Sequence, residues 1–507
     1  MKTKIKTKMK PQMAVGNESG LKKFKKVVIL DSVIFYPEHR KILNSIAEEI
    51  EEYPSSLPEN LERQYTENPD LFKHKKCYTH IAADNTPIQL LMNRCEGADV
   101  IISCWTNIPD EIINLNKDLK VIIFWTHEKE HRINMELVRA RGIKVYNIPD
   151  YGTDSVAEVV FAGLFTLLER NFLKEKDAEN AEELALQVLQ EIFRKYRLLE
   201  KNEKEIRRGQ FLHHFHKLGM VKFNITNDNL SQVIPERLIE DKSLGIVGKS
   251  EDFDYLEKLA KNAFKMNVER FELSNSNSAE YYKFFSENET IVLDSRKAGV
   301  IEMEKIKKMF GDKIIDSKEL KGLNYSLKNK QLGIIGLGRI GTRVARIARE
   351  LGIRLVYYSK TRKTDLENEL NIKHMGLDEL MKTSDIVSVH LPAHKANGLL
   401  SKEKLSLLKE GAIFINTADG NIADQHALTK LMTGKKVYSF LDVYPGLPRK
   451  DILGLEMDDA SDWKLREILK EHVLSYRAGW KSQESIRVKT YKLLGHMVDY
   501  LLKEVKI

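Results

Sequence analysis

The residues best placed to do chemistry form a glycine-spaced run, Gly336-Leu337-Gly338-Arg339-Ile340-Gly341. An apolar stretch, Leu332 to Ile335, precedes it, and an amphipathic one, Thr342 to Leu351, follows. Between a strand and a helix each glycine has a job. The first turns the chain sharply, the second lets backbone approach a pyrophosphate, and the third packs helix against strand. The helix then offers its unpaired N–H groups and positive dipole end to phosphate. This spacing predicts a dinucleotide site held by Gly336, Gly338, Arg339, Ile340 and Gly341.

About 20 residues beyond the loop, at the end of the next apolar run, an NAD-specific site usually carries an acid for the ribose hydroxyls. This chain has Ser359-Lys360-Thr361-Arg362 there instead. Two cations and two hydroxyls suit a 2′-phosphate, which an acid would repel. The reading is therefore NADP or NAD, with NADP favoured.

The elements that must hold such a loop recur along the chain. Lys26-Val27-Val28-Ile29-Leu30, Ala98 to Ser103, Leu119 to Phe124 and Ile143 to Tyr146 read as buried strands, with helices predicted over 38–52 and 134–141. Strands alternating with helices predict a parallel sheet and an α/β fold. Val156 to Arg170 reads as an apolar helix. Residues 175–208 read as one long helix with Leu184, Val188, Ile192, Tyr196 and Leu199 on one face. Its partner is either this chain or another protein docking through 175–320.

Ser243 to Gly248 lines up with Gln331 to Gly336, and Ser286 to Leu293 resembles the run around Ser384 to Val389. We read 242–325 as a degenerate, shortened copy of the Rossmann half that follows it; a chance likeness between two βαβ units is the alternative. Ser250 and Phe253 stand in it where Gly338 and Gly341 stand in the second, so no nucleotide is expected in the copy.

Several further runs carry a family resemblance: Gly142 to Pro149, Val156-Ala157-Glu158, Val389-His390-Leu391-Pro392, Gly411 to Ala418, and Leu441-Asp442-Val443-Tyr444. With the glycine loop, the chain resembles the D-isomer-specific 2-hydroxyacid dehydrogenase family over about 98–170 and 328–500. Ala478 to Ser485 resembles the branch containing the C-terminal-binding-protein corepressors. The resemblance implies a two-domain protein: a Rossmann-type doubly wound parallel sheet plus a flavodoxin-like substrate domain, here with a helical and α/β insertion. The divisions expected are a disordered basic tail over 1–25, a substrate-type domain over 26–170 completed by 483–507, a helical insertion over 171–241, the degenerate copy over 242–325, and a dinucleotide-binding domain over 326–482. The resemblance also implies that Thr417 and Asp442 border the nicotinamide, that His390, Leu391 and Pro392 flank the ribose, and that the protein is a homodimer.

The family's reaction uses an arginine to bind the substrate carboxylate, a histidine to exchange the proton and a glutamate to tune it. Carried onto this chain, the arginine's place after Asn416-Thr417-Ala418 holds Asp419. The glutamate's place, five beyond Asp442, holds Leu447. The histidine's place, two after Ser475, holds Arg477. The loop that should offer glycine N–H groups reads His127-Glu128-Lys129-Glu130. Losing a general acid alone costs about 10²–10⁴ in rate, roughly 3–5 kcal/mol. The expectation is a pseudoenzyme, a cofactor-binding protein with a regulatory or scaffold role, with Asp419 and Arg477 pairing across the old site. The alternative is an oxidoreductase with a rewired site acting on the CH–OH group of an atypical substrate. His394 and His472 lie near this region, and both read as packing or surface residues.

The net charge of +8 belongs to one end of the chain. Residues 1–26 hold nine lysines and one acid, and the remainder carries 73 of each sign. This tail lacks the apolar stretch of a secretory signal and reads as solvated; nucleic acid is not the expected partner. His213-His214-Phe215-His216 lacks acidic or thiol partners at ligand spacing, so no metal is expected. Three unpatterned cysteines fit a reducing compartment and a cytoplasmic location.

Overall fold

The computed structural model describes residues 23–30, 33–53, 88–149, 151–195, 242–248, 251–272, 278–293, 306–434, 436–442, 471–474 and 483–504, apart from 105, 127–128, 130–131 and 393–395. The chain divides into two compact units. The first comprises residues 1–54, 86–148 and 490–507, and the second 55–85 and 149–489. The division falls at Ile148, ahead of the helix that begins at Thr153. That helix therefore lies in the second unit, whereas the sequence reading drew the boundary at 170.

In the first unit β1 (Phe24–Ile29), α1 (Pro37–Ile46), β2 (Ala47–Glu52), α2 (Ile88–Cys95), β3 (Val100–Ser103), α3 (Asp110–Leu115), β4 (Val121–Phe124), α4 (Met135–Ala140) and β5 (Lys144–Asn147) follow in order. The five strands form a parallel sheet in the order β2-β1-β3-β4-β5. This is the flavodoxin-like order. Val100, Ile101, Ile102 and Val121 to Phe124 are fully buried, as expected of strands covered on both faces.

The helix expected over 38–52 is corrected: it stops at Ile46, and Ala47–Glu52 is an edge strand paired with β1 from Phe24↔Ala47 to Ile29↔Glu52. Glutamates favour helix locally, but here they project from a sheet edge. Lys26 pairs with Glu51 at 2.7 Å and Arg40 pairs with Glu52. A charged edge strand also resists pairing with other chains.

The second unit continues with α5 (Thr153–Phe172), β6 (Leu173–Asp177), α6 (Ala181–Lys195), β7 (Ser243–Val247), α7 (Asp252–Lys258), a π-turn at Leu259–Ala263, β8 (Asn267–Phe271), α8 (Ser278–Glu287), β9 (Thr290–Leu293), β10 (Ile314–Asp316) and β11 (Lys321–Leu323). Then come β12 (Gln331–Ile335), α9 (Arg339–Glu350), β13 (Arg354–Tyr358), α10 (Thr364–Leu370), β14 (Lys373–His374), α11 (Leu377–Thr383), β15 (Ile386–Val389), α12 (Lys402–Leu405), β16 (Ala412–Asn416), α13 (Gln425–Thr433), β17 (Val437–Leu441), β18 (Val473–Leu474) and α14 (Gln483–Glu504). The residues of α14 from Thr490 onward complete the first unit, where the Thr490 hydroxyl donates to Ile34 O at 2.7 Å and His496 stacks on Tyr146.

Seven parallel strands run in the order β14-β13-β12-β15-β16-β17-β18. The order reverses between β12 and β15, which opens a crevice at the carboxyl ends of those strands. One face is covered by α11 and α13 through Leu377, Leu380, Leu428 and Met432, the other by α5 and α9. Arg343 on α9 pairs with Asp154 on α5 at 2.6 Å. A second parallel sheet, β10-β9-β7-β8, lies within the same unit.

The single long helix expected over 175–208 is corrected too. Leu173–Asp177 is a strand, antiparallel to β11, and the helix described is Ala181–Lys195. Its apolar face is nonetheless real: Leu184, Val188 and Ile192 are buried in the core that α5, α6, α7 and α9 share. The partner of that stripe is this chain. Tyr196 and Leu199 lie outside the described residues. Among the described residues, no helix is long and apolar enough to cross a membrane.

Candidate functional site: a dinucleotide crevice

The glycine loop sits at the carboxyl end of β12, directly beside the switch in strand order. Gly336 has φ +101°, and a Cβ there would stand 2.5 Å from the His390 carbonyl oxygen. Only glycine suits both the backbone and the approach. Its N–H donates to Tyr358 O at 2.8 Å, which fixes the turn against β13. A Cβ on Gly341 would lie 2.2 Å from the Gly336 oxygen, so helix and loop touch backbone to backbone. Gly338 differs: it is the N-cap of α9, and a Cβ there meets nothing within 4 Å. Among the described residues, open space therefore faces the N-terminus of a 12-residue helix.

The other expected residues fall at the ends of neighbouring strands. Ser359, Lys360, Thr361 and Arg362 follow β13; His390, Leu391 and Pro392 follow β15; Thr417 follows β16; Asp442 follows β17. Five strands thus deliver every proposed cofactor residue to one edge of one sheet. Thr417 and Asp442 are buried, and among the described residues the Thr417 hydroxyl has no hydrogen-bond partner. A buried hydroxyl without a partner is costly, and a polar ligand would satisfy it. Together with the open N-terminus at Gly338, it means the residues present fit a dinucleotide.

Arg362 is less available than its sequence position suggests. Its guanidinium makes a fork with Glu367, at 2.8 Å through Nη2 and 2.9 Å through Nε. Glu367 also accepts from the Tyr357 hydroxyl at 2.7 Å. The Arg362 guanidinium and the Tyr357 hydroxyl hold the Glu367 carboxyl down to about 2. The sequence reading missed Glu367, although an acid in the first turn of α10 is an ordinary helix-start signal. Arg339 and Lys360 stand exposed at the mouth of the crevice.

Of Asp419, Leu447 and Arg477, only Asp419 lies among the described residues. It caps the short 3₁₀ turn Gly420–Ile422, accepting the Asn421 N–H at 2.8 Å. Asn416, also missed, braces this turn by donating to the Asp419 carbonyl at 2.9 Å and accepting from Ala418 N–H. Leu447, Arg477, His394, His127, Glu128, Glu130 and the 213–216 histidines lie outside the described residues, and with them the expected Asp419–Arg477 pair. Lys129 donates to Val145 O at 3.0 Å in the first unit.

Two histidines of the second unit, His390 directly after β15 and His472 directly before β18, are held as neutral groups. Burial lowers His390 to about 3, and its Nε2 is 2.8 Å from the Ser388 hydroxyl. Burial lowers His472 to about 4. Its Nδ1 accepts from Ser439 N–H at 3.0 Å, which leaves Nε2 to donate to Met432 O. Both ring nitrogens of His472 are spent on backbone, so it holds β17, β18 and α13 together and exchanges no proton with a substrate.

A depressed histidine pKa means that the unfolded chain binds the extra proton first. The stability these two residues contribute is whole above about pH 6.5 and is lost as the pH falls toward 4 and 3. Thermal unfolding followed from pH 7 to 4 should show a falling midpoint, with a shallower fall in His472→Asn. An unchanged slope in that variant would count against this role.

Comparison with known proteins agrees with this architecture. Residues 60–290 match the catalytic-domain model, and residues 299–459 the NAD-binding-domain model, of the D-isomer specific 2-hydroxyacid dehydrogenases. The chain belongs to the D-isomer-specific 2-hydroxyacid dehydrogenase family. Among curated relatives, the glyoxylate reductase of Aeropyrum pernix is 41% identical over 128 residues, 25% of this chain and 38% of that protein. The glyoxylate reductase of Korarchaeum cryptofilum is 33% identical over 172 residues, 31% of this chain and 52% of that protein. The chain therefore spans about two-fifths to half the length of these relatives. An acyclic imino acid reductase, solved with NADPH and D-Arg, matches in fold with a TM-score of 0.50 at 20% identity, covering 94% of this chain and 97% of that one. The NAD-binding-domain match over residues 299–459 includes Gly336–Gly341, and a nicotinamide dinucleotide is the cofactor that this domain implies.

Proposed function

We propose that the protein holds NADP in this crevice and has lost the family's hydride-transfer chemistry, serving a regulatory or scaffold role in the cytoplasm. The observation that carries this is Asp419. Its carboxylate is engaged in capping a turn at the position where the family's reaction needs a substrate-binding arginine. A fixed negative charge there repels a 2-oxo acid instead of binding and polarising it. Leu447 and Arg477 in place of the glutamate and histidine remove the proton relay as well.

Gly336 to Gly341 would hold the pyrophosphate, Ser359 to Arg362 the adenosine ribose and its phosphate, and His390 to Pro392, Thr417 and Asp442 the nicotinamide half. When bound, the dihydronicotinamide supplies a hydride. This chain's own residues orient the ring without offering an anionic acceptor beside it. NADP over NAD rests on Lys360 and Arg362, with Arg362 shared between Glu367 and a 2′-phosphate. The second reading, an oxidoreductase with a rewired site on an atypical substrate, is favoured by the glyoxylate reductases that the chain matches over a quarter of its length.

Titration with NADPH and NADH, followed by a screen of 2-oxo acids, aldehydes and ketones, separates these readings. Binding without turnover is expected, and turnover of 2-oxo acids would sink the proposal. Lys360→Ala should weaken NADPH by about tenfold, the 1.4 kcal/mol that one charge-assisted phosphate contact is worth, and leave NADH unchanged. An equal effect on both cofactors would remove the case for a 2′-phosphate.

A further inference from the structure

We propose that the described residues within 178–320 form a second, shortened copy of the dinucleotide-binding half, and that this copy acts as a built-in partner subunit, making the monomeric chain its own pseudo-dimer. The likeness reaches individual backbone positions. In one sheet β7 lies between β8 and β9, with Ser243↔Asn267 and Leu244↔Thr290 paired. In the other β12 lies between β13 and β15, with Gln331↔Arg354 and Leu332↔Ile386 paired. The third residue of each first strand is a glycine under a helix. A Cβ on Gly245 would stand 2.6 Å from Phe284 and 3.1 Å from Asn288, and one on Gly333 would stand 2.5 Å from Leu380 and 2.4 Å from Ser384. The contacted residues are four apart in both cases.

Positive φ recurs at matching points too. Gly248 (+129°) follows β7 as Gly336 (+101°) follows β12, and Lys265 (+54°) precedes β8 as Gly352 (+75°) precedes β13. Between these points the copy is one residue longer, and the π-turn at Leu259–Ala263 takes up the surplus. A single inserted residue inside a helix is a common origin of such a turn.

The leading helices match at an offset of 24. Ala181-Glu182 falls on Ala157-Glu158, Arg194 on Arg170, and Gln190 on Thr166. Gln190 Nε2 donates to the Thr166 hydroxyl at 3.0 Å. Two equivalent residues touch each other, as happens on the two-fold axis of an isologous pair. The elements pair in the same way: α5 packs on α6, and α9 packs on the π-turn that continues α7. Phe165 meets Phe193 at 5.9 Å and Phe161 meets Phe264 at 6.1 Å in a core that is continuous between the two sheets. Such a join, an apolar buried core edged by the Gln190–Thr166 hydrogen bond and the Arg194–Glu169 ion pair, resembles an obligate subunit interface.

What the copy has lost is the ligand loop. Phe253, fully buried in this core, stands where Gly341 lets helix and loop touch. The copy keeps the packing face and gives up the pyrophosphate cradle. The face of the dinucleotide domain formed by α5 and α9 is thereby closed within one chain, leaving one cofactor crevice per molecule.

Sedimentation equilibrium of the full chain tests this, with a single species of 58.6 kDa expected. The homodimer implied by the family resemblance is the competing outcome, and a stable dimer would overturn the proposal. A Thr166→Cys, Gln190→Cys variant in a Cys77→Ser background, treated with a short bifunctional thiol reagent, locates the pairing. The bridge should form within one chain, at a yield independent of protein concentration. A product of twice the mass overturns the proposal, and so does failure to bridge when each thiol is modified singly.

Discussion

Gly338→Glu should abolish useful dinucleotide binding while the protein folds as before. A Cβ at 338 meets no described atom within 4 Å, and the residue is exposed, so a side chain can leave the backbone there without displacing the described fold. A carboxylate at the N-cap of α9 also suits the helix dipole, and the thermal midpoint should hold or rise slightly. The same carboxylate would occupy the space meant for a pyrophosphate and repel it. The affinity for NADPH and NADH should fall at least about 100-fold, which is about 2.7 kcal/mol. Fluorescence titration of both reduced cofactors measures this. A variant that still binds within threefold of the parent would show that the phosphates do not lie over Gly338.

Gly341→Ala, three residues on, should do the opposite first: destabilise the fold. Its methyl group would stand 2.2 Å from the Gly336 carbonyl oxygen and 3.2 Å from Ile334 Cγ2. The obstacle is backbone at the end of a fully buried strand, so helix and loop must part. Overpacking of this kind costs about 1–3 kcal/mol, and a backbone collision belongs at the upper end, at about 3 kcal/mol. Denaturant unfolding without cofactor should show the loss, and affinity should fall with it because the loop is displaced. If Gly341→Ala unfolded at the parental midpoint, the close contact between helix and loop would be wrong. The two substitutions separate one motif into a ligand position and a packing position.

The difference between Gly338 and Gly341 was legible in the spacing alone, because each glycine answers a local demand: a turn, an open approach, a helix laid close to a strand. Asp419 was singled out on other grounds, by the family resemblance of the run Gly411 to Ala418 that it follows, three residues beyond the end of β16. Glu367 was not. Its importance comes from Arg362 and Tyr357, brought to it by the packing of α10 against β13, and a carboxylate at a helix start gives no local sign of that. The fork matters for function because any 2′-phosphate must share Arg362 with it.

Ala47–Glu52 shows the limit from the other side. Its composition favours helix, yet pairing with the buried strand Phe24–Ile29 makes it a strand, because ladder hydrogen bonds along an existing sheet outweigh a few tenths of a kcal/mol per residue of helix preference. The stripe Leu184, Val188, Ile192 was equally visible, but not its partner. An apolar face states that something must cover it, and only the assembled core shows that α5, α7 and α9 do.

By itself, then, the sequence determined the parallel α/β architecture and the glycine turn after β12, since these depend on periodicity and on positive φ at glycine. Tertiary structure alone decided which strands lie side by side, where Glu367 engages Arg362, and that the 181–195 helix meets its own counterpart at Thr166. Those are contacts between residues far apart in the chain, and burial selects them without leaving a local mark.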